Sequence, residues 1–285
     1  MTEIEAPQEK KKLSGTALRF ASAIPLVAVA IMLMFVTPLW LFQLFGLLWI
    51  GVVASELMKM TMPGPAALPR YFGVVATVGL AVVVFRASHV DGAILAAIFG
   101  IVIGALVVSL ISPTPIEDAG RRVAWMIGGP IYVGATLGTL GVLESLPHGG
   151  AWVLLVTFCA FLSDTGAYFA GRFFGKTKLY PIISPKKTVE GAIGGLIVAA
   201  LGALAVQQTL LTFVPPWHAA LLGVVAAALG QSGDLFESLI KRSSGVKDSG
   251  TIMPGHGGLF DRSDALMFAS ATVWLYVTFV LPSIS

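Results

Sequence analysis

The sequence predicts an all-α, polytopic integral membrane protein with about nine transmembrane helices. Three observations lead there. Hydrophobic residues make up 56% of the 285 positions and charged residues only 12%; mean hydropathy is +0.88, a balance typical of membrane proteins. Apolar runs close to the roughly 20 residues that span a bilayer recur along nearly the whole chain. Basic residues collect between those runs in an alternating pattern, so the sequence pI near 9.0 reflects membrane topology, and no nucleic-acid partner is expected.

In order, residues 1–16 read as a disordered cytoplasmic tail carrying Lys10, Lys11 and Lys12. An N-terminal group of transmembrane helices covers 17–122, and a C-terminal group, 123–285, carries the polar loops. The apolar segments run over about 18–36, 39–58, 70–86, 92–111, 123–143, 150–171, 189–211, 216–240 and 265–283. Proline marks the joints at Pro38, Pro63, Pro65, Pro113, Pro115, Pro147, Pro215 and Pro216, because it lacks the N–H that a continuing helix needs. The short link after the first segment predicts a hairpin. That segment is too long, and too closely followed by another, to resemble a cleaved signal peptide.

The joints supply an independent check. With the N-terminus inside, all of the 18 basic residues except Arg86 fall in the tail or in inward-facing joints, as the excess of Lys and Arg in cytoplasmic loops requires. This predicts a multi-pass protein of the cell (inner) membrane with cytoplasmic N-terminus and polar loops, and with the C-terminus outside. The single cysteine, Cys159, lies in an apolar run, which excludes a disulfide framework. Glycine pairs Gly100/Gly104, Gly134/Gly138 and Gly191/Gly195 allow close helix contact; packing within one chain is the simpler use, and a homodimer face the alternative.

Acids inside apolar segments are expensive and mark function by default. Glu56, Asp164, Glu190, Asp234 and Glu237 all fall near the cytoplasmic ends of their helices. A transporter needs polar groups deeper in the membrane, whereas this chain gathers its polarity in one layer, which suits chemistry at a membrane surface. The densest stretch, Ser238–Asp264, packs four basic residues, three acids, one His and five glycines into 27 positions. Glycines let backbone N–H groups converge on an anion, basic side chains neutralise phosphate, and acids hold a divalent cation, so the stretch reads as a phosphate and metal site. A second polar stretch, Ser163–Gly195, runs from Asp164 through a basic loop to Ser184-Pro185-Lys186-Lys187-Thr188. Pro185 and the neighbouring Ser or Thr signal a helix start there, and a helix N-terminus beside two lysines attracts phosphate.

Residues 238–264 resemble the signature of the phosphatidate cytidylyltransferases, or CDP-diacylglycerol synthases. The matching positions are Ser238, Ile240, Lys241, Arg242, Lys247, Asp248, Gly250, Pro254, His256, Gly257, Gly258, Leu259, Asp261, Arg262 and Asp264. Met253 and Ser263 depart from the pattern without removing a charge. Asp164–Gly195 and Gln231–Glu237 are also similar to the family's C-terminal half, while the first 120 or so residues match only in being apolar.

The resemblance implies that CTP and phosphatidate give CDP-diacylglycerol and pyrophosphate, in phospholipid synthesis. Because the second pKa of a phosphate monoester is near 6, the attacking lipid oxygen is already ionised at neutral pH, and no protein base is needed. Catalysis must instead align two polyanions and relieve their repulsion. Under this reading Asp234 and Asp261 lead as ligands for Mg2+, with Glu237, Asp164 and Asp264 behind them and a second, monovalent cation left open. Lys241 and Arg242 join the two leading acids in catalysis, and Lys186, Lys187, Lys247, Asp248, His256, Gly257, Gly258 and Arg262 bind substrate. The alternative is a CTP-dependent kinase or cytidylyltransferase acting on another lipid, such as a polyprenol or ether lipid.

Overall fold

The computed structural model describes residues 28–86, 92–250, 252 and 257–283. His256 and the basic residues of the N-terminal tail lie outside them. Among the described residues the fold is helical apart from one two-stranded ribbon. The chain order is α1 (residues 28–35), α2 (Leu39–Thr61), α3 (Ala67–Arg86), α4 (Gly92–Ile111), α5 (Ala119–Gly129), α6 (Thr136–Ser145), α7 (Gly149–Phe174), β1 (Lys178–Tyr180), β2 (Ser184–Thr188), α8 (Val189–Thr209), α9 (Pro216–Ser243) and α10 (Asp264–Leu275). A π-helical turn, Pro130–Ala135, joins α5 to α6 into one apolar stretch, Ile116–Ser145. Among the described residues seven helices are long and apolar enough to cross a membrane, and Asp264–Val280 is a shorter apolar helix. They match eight of the nine expected segments, with boundaries displaced by a few residues; of the first, 18–36, residues 28–35 are helical and 18–27 lie outside the described residues.

Most of the long helices show apolar side chains to the outside, whereas α6 is interior and exposes only Ser145. On α4 only Ile101 and Ala105 are buried, while Phe99, Ile103, Leu106 and Leu110 are exposed, a pattern that only a hydrocarbon solvent supports. Two interior clusters hold the bundle together: one centres on Trp152, Leu155 and Val156 of α7 with Ala226 of α9 and Val273 of α10, the other on Val53 and Leu57 of α2, Leu137 of α6 and Met267 of α10. Of the spaced glycines, Gly134 and Gly138 let α3 approach closely, Gly191 and Gly195 do the same for α7, and Gly100 faces open space. Arg122, expected as a cytoplasmic anchor, is buried; its guanidinium donates to the carbonyls of Ser112, Pro113 and Thr114 and fixes the turn before α5.

One local expectation changes. Pro185 does not open a helix; Ser184–Thr188 is the second strand of an antiparallel ribbon with Lys178–Tyr180. A two-stranded ribbon tolerates proline because each strand has an unpaired edge. The helix begins after Thr188, whose hydroxyl accepts the Gly191 N–H at 3.1 Å. Glu190, in the first turn, reaches back to accept the Lys176 and Thr177 N–H groups, so the ribbon is tied to the helix it precedes.

Candidate active site: an acidic cluster beside a basic cavity

α9 carries Asp234, Glu237 and Lys241 along one face, since residues three and four apart on a helix are neighbours. The 3₁₀ turn Phe260–Arg262 and the start of α10 bring Asp261 and Asp264 to that face. Asp234, Glu237 and Asp264 each offer a carboxylate oxygen, and the three oxygens lie within 4.8 Å of one another. Glu237 and Asp264 are only 1% and 9% exposed. Lys241 Nζ sits between two acids, 3.1 Å from Glu237 Oε1 and 2.7 Å from Asp261 Oδ1.

Asp261 has a different environment. Its Oδ2 accepts the Ser249 N–H at 3.0 Å, the Ser249 hydroxyl at 2.9 Å and the Gly258 N–H at 2.8 Å. Burial alone pushes this carboxyl up, but hydrogen bonds involving Glu237, Lys241 and the Gly258 and Ser249 amides outweigh it and hold Asp261 well below the usual carboxylate range. The glycine-rich loop thus directs an N–H at one of its own carboxylates. Gly257 supplies the left-handed turn that this needs, with φ of 80°. Gly258 is required by space, because a Cβ there would lie 2.3 Å from Ser249 Oγ and 2.5 Å from Glu56 Oε2.

The second polar stretch meets the first. Lys187 of β2 forms an ion pair with Asp234. A cavity of about 410 Å³ opens beside that pair, lined by Asp164, Tyr168, Arg172, Lys186, Lys187 and Asp234 among others. Gln231 braces the wall, donating to Ser163 Oγ at 3.0 Å and to the Ala192 carbonyl at 3.1 Å, and so links α7, α8 and α9. Arg242, Lys247 and Asp248 are exposed and line neither this cavity nor a smaller apolar one on whose wall Arg262 lies.

Two residues outside the expected set belong to this centre. Glu56 was legible as an acid in an apolar helix, yet nothing in its spacing ties it to residues two hundred positions away. Its Oε2 accepts the Phe260 N–H at 2.8 Å and lies 3.4 Å from the Ser249 hydroxyl, so α2 braces the loop. Tyr132, in the π-helical turn, packs its ring edge-on to Phe236 at 5.2 Å and Phe260 at 6.1 Å. Its buried hydroxyl has no hydrogen-bond partner among the described residues. Pro130 within an otherwise helical run was the available signal of a local irregularity there.

Fold and site together define an integral membrane protein with a dense acid-and-base centre at one end of its helices. The chain belongs to the cytidylyltransferase family, whose model matches residues 17–280. It is 35% identical over 247 residues to a phosphatidate cytidylyltransferase of Staphylococcus haemolyticus, covering 85% of this chain and 91% of that protein. A phosphatidate cytidylyltransferase of Staphylococcus saprophyticus is 33% identical over 229 residues, 79% of this chain and 85% of the relative. Against one from Staphylococcus epidermidis identity rises to 44% over 137 residues, 48% of this chain, and that match spans about half the relative's length, 52%.

Proposed function

We propose that the protein transfers the cytidylyl group of CTP to phosphatidate, forming CDP-diacylglycerol and releasing pyrophosphate, at the cytoplasmic face of the cell membrane. The observation that carries this reading is a cluster of three mutually close carboxylates, Asp234, Glu237 and Asp264, of which Asp234 also lines a cavity walled by Lys186, Lys187 and Arg172. Membership of the family and the activity for which relatives matching most of the chain are named support it.

The donor set fits a divalent cation. Three carboxylate oxygens within 4.8 Å of one another, two of them on buried residues, repel each other unless protons or a cation intervene, and hard oxygen ligands suit Mg2+. Asp234, Glu237 and Asp264 would hold it; Asp261 and Asp164 are further candidates, one through the oxygen that Lys241 now contacts, the other from the cavity wall. A bound Mg2+ neutralises nucleotide phosphate charge.

The chain's own residues do the rest. Lys186, Lys187 and Arg172 draw the polyphosphate into the cavity and stabilise the charge that builds on the departing pyrophosphate. Lys241 balances the charge of Asp261 and holds Glu237 and Asp261 in place. Asp261 holds the loop closed through Ser249 and Gly258, and Glu56 holds the same loop from the other side. One lipid phosphate oxygen forms the new bond to the α-phosphorus of CTP while the bond to the β-phosphate bridging oxygen breaks. The attacking oxygen needs no protein base.

Purified protein given CTP radiolabelled in its α-phosphate, phosphatidate and Mg2+ in detergent is expected to make labelled CDP-diacylglycerol. CTP labelled in its γ-phosphate should put no label into lipid. Lipid labelled only from the γ-phosphate would replace this reading with a kinase, and absence of either transfer would remove the enzyme assignment.

A further inference from the structure

A second cavity, of about 190 Å³, lies between α1, α2, α6 and α7 and reaches Arg262 and Leu266. Its walls are apolar, with Phe42, Phe45, Leu140 and Val153 among them, and Arg262 is the one charged residue among the described residues that line it. Three links join it to the site. Trp49, on its wall, donates its indole N–H to Ser263 Oγ at 2.8 Å. Leu266 lines it two positions after Asp264, and Phe161 lines it one helical turn before Asp164. Two of the elements that carry the acids, α7 with Asp164 and α10 with Asp264, therefore also supply part of the cavity wall.

Such a void favours hydrocarbon: its walls offer water almost no hydrogen-bond partner, and an apolar cavity of comparable size, ~150 Å³, takes up a small hydrocarbon. Arg262 adds a guanidinium, which matches the geometry of a phosphate anion. An alkyl chain joined to a phosphate is the ligand that satisfies both. We infer that this cavity receives one acyl chain of the lipid substrate, with Arg262 against the lipid phosphate, which divides the centre into a nucleotide side at Lys186 and Lys187 and a lipid side at Arg262. The inference rests on the reading of the substrate as a lipid phosphate. Gly46 sets the width of the slot: a Cβ there meets only the Phe85 ring, at 3.7 Å, so a larger side chain fills the cavity without colliding with backbone.

The test is photolabelling of the full-length protein in nanodiscs, without CTP, using phosphatidate that carries a diazirine on one acyl chain. Adducts are mapped by mass spectrometry. The expected adducts fall on Phe42, Leu140 and Val153, and drop severalfold in Gly46→Leu and in Arg262→Gln. Adducts confined to outward-facing residues such as Leu48 and Phe99, or equal cavity labelling by phosphatidylcholine bearing the same chain, would overturn the inference. Labelling needs no turnover, so cavity adducts without cytidylyl transfer sink the proposed reaction alone, and transfer with adducts elsewhere sinks the acyl site alone.

Discussion

Asp261 and the trio of Asp234, Glu237 and Asp264 are carboxylates within one small volume, yet they are supported in opposite ways. Asp261 accepts three hydrogen bonds on one oxygen and a lysine on the other. The trio receives far less: Lys187 on Asp234, Lys241 on Glu237 and the Ala265 N–H on Asp264, while the carboxylates face one another. A carboxylate whose lone pairs are filled by the protein is an anchor, whereas buried carboxylates turned towards each other require a cation or protons. The difference separates the part of the signature that builds the loop from the part that is available to a ligand.

The largest effect should come from Lys241. Replacing it in Lys241→Met leaves Glu237 and Asp261 buried and facing each other without their cation, a loss on the order of 3–5 kcal/mol. Thermal unfolding in detergent should show this, and added Mg2+ should recover part of it. If Mg2+ recovers nothing, the cation is not bound at this cluster.

Next, Asp264→Asn and Asp234→Asn should lower CDP-diacylglycerol formation on the order of 10²–10³-fold with the fold intact. Both variants should unfold at higher temperature than wild type in EDTA, since each removes one of three repelling charges. A lower unfolding temperature in EDTA would mean that the trio is stabilising without metal, which contradicts the contrast drawn with Asp261.

Gly258→Ala should cost about 1–3 kcal/mol through overpacking against Ser249 and Glu56, and Gly257→Ala about 1–2 kcal/mol through its left-handed backbone. Limited proteolysis near residues 245–262 would report both. If both variants leave the loop as protected as in wild type, the glycines serve the ligand and not the loop.

The smallest effect is in pH. The folded pKa of Asp261 is lowered, so its contribution is complete above the ordinary carboxylate pKa, about 3.9, and fades only as pH falls through the lowered value. Loop protection in wild type should therefore persist on acidification past pH ~4 and should be weaker in Asp261→Asn at neutral pH. Loss of protection in step with an ordinary carboxylate would show that the anchor is weak.

Much of the architecture was legible because a bilayer imposes a length and a composition on every helix that crosses it. The apolar segments, their proline joints and the placement of Glu56, Asp164, Glu190, Asp234 and Glu237 near one end of the helices follow from that rule alone. The ribbon at Lys178–Thr188 was not legible, since Pro185 beside Thr188 reads equally well as a helix start. Nor was the sorting of the acids, because spacing on α9 puts Asp234, Glu237 and Lys241 on one face but does not say which of Asp261 and Asp264 will turn towards the first two.

The sequence by itself determined the number and order of the helices, the layer in which charge gathers and the two stretches that carry it, since each follows from local pattern and the cost of charge in hydrocarbon. Tertiary structure alone decided that Lys187 meets Asp234, that Glu56 reaches Phe260, that Asp261 closes a loop while Asp264 joins Glu237, and that an apolar cavity ends at Arg262. Those pairings join residues far apart in the chain. They depend on how the helices pack, which no run of neighbouring residues encodes.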